Sequence, residues 1–182
     1  MSKKFGIVDL MDALELGRDQ LFYWIKTKRL VKPEIEGKGR GARSKFSIFN
    51  VFELAVIREL ASLGIELNFI EQIIKNREIT GLFKVKNGRK FHSGQLASKD
   101  NLIKTAFHKY QLNKKDNRTG EYYLMIFKDS SNKYKFFPIM DASALKQLDV
   151  KELFEIGLID SAVFLNLHGI LRELEKKIGE GV

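Results

Sequence analysis

The sequence predicts an α+β fold in two parts: a helical N-terminal domain at 1–78 and a small α+β domain at 82–182. Three observations carry this. Apolar residues recur at helical spacing through most of the first 75 positions. A glycine-rich, cationic segment from Glu34 to Phe46 splits those helices. Beyond Phe83 the pattern changes to short aromatic, β-prone runs separated by turn residues.

The elements follow in order. Ile7 to Leu16 reads as a first helix, with Asp9, Asp12 and Glu15 between its apolar positions. Gly17 breaks that helix and serves as N-cap of a second, Arg18 to Arg29, with Asp19 in its first turn. Leu21, Trp24 and Ile25 face inward at i, i+3 and i+4. Two short helices around a tight turn make a helix-turn-helix candidate. Pro33 ends the second helix. Glu34 to Phe46 reads as two short extended runs around a loop of three glycines, a hairpin with a cationic tip. Ser47 caps a third helix to about Leu63, with Val51, Leu54, Ala55, Ile57, Leu60 and Ala61 on its apolar side. Gly64 supplies the left-handed stop. A fourth helix, Leu67 to Lys75, buries Leu67, Ile70, Ile73 and Ile74.

In the second half, Asn87-Gly88 predicts a small hairpin over 83–91. Lys99 to Tyr110 reads as a short helix and Asn113 to Gly120 as an exposed loop. Tyr122 to Lys128 and Tyr134 to Pro138 predict a second hairpin. Its aromatics, Tyr122, Tyr123, Phe127, Tyr134, Phe136 and Phe137, read as sheet core ahead of a ligand pocket. Ala144 to Leu148 and Lys151 to Ile156 look like short helices. Ala162 to Leu167 fits either a buried strand or a helix start, and Gly169 to Ile178 a terminal helix.

Charge narrows the function. The formal net charge is +9, which favours polyanionic partners, nucleic acid first and an anionic membrane surface second. The excess is concentrated: eight Lys or Arg against two Glu between Lys26 and Lys45, and ten against two Asp between Lys84 and Arg118. The chain has no cysteine, which excludes disulfides, thiolate metal sites and cysteine nucleophiles. No segment approaches the roughly 20 apolar residues of a membrane span. A cytoplasmic, nucleoid-associated protein without a signal peptide is expected.

Several stretches together resemble the DNA-binding domain of the MerR family of bacterial transcription regulators, over residues 5–75. Leu21-Phe22-Tyr23-Trp24 stands where that family has Leu-Arg-Tyr-Tyr. Leu30-Val31-Lys32-Pro33 matches the exit from the recognition helix, and Arg40-Gly41-Ala42-Arg43-Ser44-Lys45-Phe46-Ser47 matches the wing. Leu63-Gly64-Ile65-Glu66-Leu67-Asn68-Phe69-Ile70 matches the start of the fourth helix. The chain departs from the family at Phe22 (Arg there), Ile25 (Glu), Lys28 (Gly) and Phe46 (Tyr). The family's long dimerisation helix is not evident, because Thr80-Gly81 and Asn87-Gly88 interrupt it. The resemblance implies a winged helix-turn-helix, a role in transcription regulation and RNA polymerase as a candidate partner.

The residues support duplex binding on their own chemistry. Arg18, Gln20, Tyr23 and Lys26 fall on a short helix suited to the major groove, where Arg and Gln can pair bidentately with guanine and adenine edges. Tyr23 reads either as a phosphate donor or as cover for the helix contact. Lys28 and Arg29 read either as contacts or as solvated charge, and Trp24 as core. Arg40, Arg43 and Lys45 would meet flanking phosphates or the narrow minor groove. A domain this small is expected to act as a homodimer on a palindromic site, with the α+β domain as the contact.

Other chemistry is not indicated. His92, His108 and His168 lack metal or catalytic spacing, and Gly37-Lys38-Gly39-Arg40-Gly41 lacks the Lys-Ser or Lys-Thr of a phosphate loop. The sequence implies no enzyme, metal, cofactor or membrane partner. Two alternatives stand beside the regulator: a DNA-architectural or excisionase-like accessory protein, and a protein-interaction adaptor using the basic segment 84–118.

Overall fold

The computed structural model describes residues 3–37, 43–75, 102–117, 120–128, 134–139 and 161–179. The expected hairpin at 83–91, the helices at 144–148 and 151–156, the loop tip with Arg40, and His92 lie outside them. The chain is mixed α and β. It divides into two compact units, Met1–Lys75 with Gly169–Val182, and Asn76–His168.

In the first unit, α1 spans Ile7–Leu14. The Asp9 carboxylate accepts the Gly6 backbone N–H at 2.6 Å and satisfies one donor of the first turn. Glu15, at φ 53°, ends the helix two residues earlier than Gly17 would have. Arg58 donates to the Leu14 carbonyl at 3.0 Å and caps that end. α2 spans Arg18–Phe22, with Gly17 as its N-cap, and runs on into a π-helical turn, Tyr23–Thr27. The wider turn is closed by Lys28 N–H to the Tyr23 carbonyl at 2.8 Å. It carries the adjacent Trp24 and Ile25 into the core at 2% and 5% exposure, while Tyr23 and Lys26 stay outside. Arg29 then takes a left-handed backbone, φ 51°.

α3 spans Ile48–Ser62. Ser47 Oγ accepts the Asn50 N–H at 3.2 Å, and Asn50 Oδ1 accepts the Ser47 N–H at 3.1 Å. This reciprocal cap is worth about 1 kcal/mol. A one-sided apolar stripe is expected from the sequence, but every residue from Asn50 to Ile57 is buried. α3 is therefore a central helix, apolar nearly all round, with α1 and α4 packed against it. Its one buried acid, Glu53, accepts from Asn50 Nδ2 at 3.1 Å, and burial pushes its carboxyl up to about 7. Gly64, at φ 76°, stops α3. α4 follows at Leu67–Lys75. It buries Phe69, Ile70, Ile73 and Ile74, with Phe69 in the place expected of the half-buried Leu67.

The segment before α3 is pinned on both edges. Ile35 and Lys45 exchange backbone hydrogen bonds at 3.1 and 2.9 Å, and Phe5 and Phe46 exchange two at 2.9 Å. Each pair is a single bridge, so among the described residues the expected hairpin at 34–46 is held by one bridge, Ile35 to Lys45, and not by a ladder, while the other bridge ties Phe46 to the N-terminal Phe5. Phe5 and Phe46 are buried and anchor it.

In the second unit, α5 spans Leu102–Lys115 and takes in part of the expected 113–120 loop. Lys114 and Lys115 in its last turn suit the negative end of the helix dipole, and Asn113 Nδ2 donates to the Gly120 carbonyl at 3.0 Å. Three antiparallel strands form a sheet: β1 Tyr123–Lys128, β2 Tyr134–Ile139 and β3 Ser161–Asn166, in the order β2-β1-β3. Tyr123 faces Ile139 on one side and Asn166 on the other. Central β1 buries Leu124 through Phe127 on both faces. β3 leads directly into α6, Leu167–Ile178, so the apolar run at 162–167 is strand up to Asn166. His168 is buried at 2% exposure, its ring nitrogens 2.9 Å from the Gly120 carbonyl and 3.2 Å from that of Ala106. A neutral ring donates one of these bonds and an imidazolium both. The beginning of α5's second turn, the entry to β1 and the start of α6 are thereby held at one point.

Residues Gly169–Val182 group with the first unit, where the sequence places the terminal helix with the second. Lys3 Nζ donates to the Ile178 carbonyl at 2.9 Å, and Lys177 pairs with Glu15 at 2.5 Å. No helix of the described residues is long and apolar enough to cross a membrane.

Candidate functional site

The first unit carries a cleft of about 800 Å³ between the N-terminus of α1, one flank of α2 and the segment 43–46. Its lining includes Arg18 and Lys26 from the helix and Arg43 and Lys45 from the pinned segment. The reason is local. Arg18, Phe22, Ile25 and Lys26 recur at helical spacing and share a flank. Arg43 and Lys45 are two apart on an extended chain and share a face, while Phe46 alternates into the core. The two bridges fix that chain beside the helix. The one acid in the lining, Asp9, is already occupied by the Gly6 N–H. Four cations against this one carboxylate set the sign of the cleft.

The apolar lining bears on how the cations are held. The Arg18 guanidinium lies over the Phe22 ring at 5.4 Å, an attraction of about 0.5–1 kcal/mol at an exposed position. Phe22 thus orients the Arg18 side chain one turn before it. Val8 is 68% exposed at the rim.

The other expected site residues are distributed as follows. Gln20 is exposed on α2 and lines neither this cleft nor its neighbour. Tyr23 is 41% exposed, with the Lys28 ammonium 5.9 Å from its ring centre. Lys28 is therefore half-buried against Tyr23 and is brought into neither cleft. Trp24 is core. Arg40 lies outside the described residues.

A second cleft of about 560 Å³ adjoins the first. It shares Ile25, Lys26 and Ser44 with it and adds Arg29, Lys32 and Glu36. Ser44 Oγ holds the Gly37 N–H at 3.2 Å, which closes this side. The sequence reads Arg29 either as a contact or as solvated charge, and Lys32 only as part of the helix exit. Nothing in their spacing shows that the chain brings them around one hollow.

Among the described residues no group of three or more His, Cys, Asp or Glu could hold a metal ion. His168 is engaged with backbone carbonyls and His108 is exposed. No protein-family model matches the chain, and no curated protein is significantly similar to it.

Proposed function

We propose that this chain binds double-stranded DNA as a transcription regulator, with the first unit acting as a MerR-like winged helix-turn-helix. α1 and α2 form the helix pair, α2 and its π turn enter the major groove, and the segment around 37–45 is the wing. The observation that supports this most is the shared cleft: Arg18 and Lys26 of the helix and Arg43 and Lys45 of the wing base line one hollow. Cations on two separate elements converging on one groove suit a rod of regularly spaced phosphates. The exposed Gln20, Tyr23 and Lys26 are then the side chains offered to base edges and to register-setting phosphates. A homodimer on a palindromic site completes the proposal, since one such domain covers little duplex. A nucleoid location and a contact with RNA polymerase belong to the same proposal.

The test is fluorescence anisotropy of the full chain with a labelled random-sequence duplex across a salt series. If about six phosphates are neutralised per subunit, log K falls against log salt with a slope near −5. Weak binding that does not respond to salt overturns the proposal.

A further inference from the structure

We infer that the second cleft is a second phosphate track, so that the first unit grips both strands of a duplex from either side of one ridge. This rests on the DNA reading above. Lys26 and Ser44 line both clefts and form the crest between them. On one side stand Arg18, Arg43 and Lys45. On the other stand Arg29 and Lys32. A ridge with a cationic hollow along each flank matches a major groove, whose two rims are the two phosphate backbones.

The chemistry of the second hollow supports an anionic occupant. Its floor includes the buried Ile25 and Val31, and Pro33, which has no N–H to offer. The Gly37 N–H is already bonded to Ser44. The polar groups left facing a ligand are therefore mainly cationic. The single acid, Glu36, stands 3.9 Å from Lys32, and both side chains are more than half exposed, so the pair is readily exchanged for a phosphate contact. Arg29 pairs with no carboxylate among the described residues.

The backbone adds an independent point. Arg29 has φ 51°, a conformation that favours glycine or asparagine. A residue placed there for backbone geometry alone would be better as Gly. Arg29 instead forgoes conformational ease and presents an exposed cation at the mouth of the hollow.

That conflict makes a clean test. Arg29→Gly and Arg29→Asn each keep the left-handed backbone and remove the charge, so the thermal midpoint should hold or rise. Each, combined with Lys32→Gln, should reduce the magnitude of the duplex salt slope by nearly 2, close to 1 per lost phosphate. At moderate salt the affinity should fall by about tenfold or more. Binding to a single-stranded oligonucleotide of the same length should change much less, because one strand needs one track. Duplex binding by the unmodified chain with an unchanged slope in these variants overturns this inference and leaves the DNA reading standing. An equal loss on duplex and single strand overturns the two-strand geometry. A fall in the thermal midpoint of both variants shows Arg29 to be structural and overturns it as well. Absence of duplex binding by the unmodified chain defeats the DNA reading, and this inference with it.

Discussion

Lys177, in the last turn of α6, donates to the Glu15 carboxylate at 2.5 Å, joining side chains 162 positions apart. The bond and the ammonium charge hold the Glu15 carboxyl below its ordinary range. Glu15 is also the left-handed residue that ends α1. The final helix thus meets the end of the first within one unit.

The helix is held there by its apolar stripe more than by this pair. Leu171 and Leu174 are 0% and 4% exposed. Leu171→Ala or Leu174→Ala should each cost about 2–4 kcal/mol, read as the midpoint of a denaturant titration. Lys177→Ala should leave that midpoint nearly unchanged, because exposed ion pairs contribute little. A large loss from Lys177→Ala with none from the leucines would invert this assignment.

Arg43→Ala and Lys45→Ala should weaken duplex binding to a similar degree on every sequence, since phosphate contacts carry no base information. Each should lower the salt slope by nearly 1. The bridge to Ile35 uses only the backbone of Lys45, so the fold should persist. Comparing several unrelated duplexes checks this: a sequence-selective loss would move these residues from backbone contact to base recognition.

Glu53 makes the first unit acid-favoured. Its carboxyl is pushed from 4.5 to about 7 by burial, against a single hydrogen bond from Asn50. Between those values the folded state holds the proton and the unfolded chain releases it. The stability that Glu53 contributes is therefore fully present below about pH 4.5, falls as pH rises to about 7, and is lost above. The full effect is on the order of 3 kcal/mol. Urea titrations at pH 5 and 8 should show the difference, and Glu53→Gln should flatten it. An identical pH slope in the variant would place the titrating group elsewhere.

Tyr122 is 1% exposed and its hydroxyl has no hydrogen-bond partner among the described residues. Burial pushes its ionisation from 10.0 up to about 12. Tyr122→Phe removes the unsatisfied group and keeps the ring beside His168, whose centre is 6.0 Å away. The variant should be as stable as the parent or up to about 1 kcal/mol more so. It should also lose less stability between pH 10 and 12, where the unfolded tyrosine ionises and the folded one does not. A clear destabilisation at neutral pH would show that the hydroxyl is bonded in solution.

The sequence alone determined what neighbouring residues settle among themselves. Ser47 announces the start of α3, Gly64 its end, and Gly17 the start of α2, because caps and left-handed stops act over four or five positions. The strands at 123–128 and 134–139 were legible from aromatic content around a turn cluster, since an antiparallel pair is a local contact. The basic run from Lys26 to Lys45 was visible as charge.

Tertiary structure decided where those pieces meet. Periodicity shows α3 as one-sided, but its packing between α1 and α4 buries nearly its whole circumference. Trp24 and Ile25 face inward as their spacing from Leu21 predicts, but the π turn that carries them is announced by no residue type, and Lys26 comes to line two hollows. The terminal helix carries an ordinary amphipathic stripe that would suit either unit; contact with residues more than 150 positions away assigns it to the first. Side-chain spacing encodes which face is apolar. Only chain closure over long distances, and the entropy it costs, selects the partner that covers it.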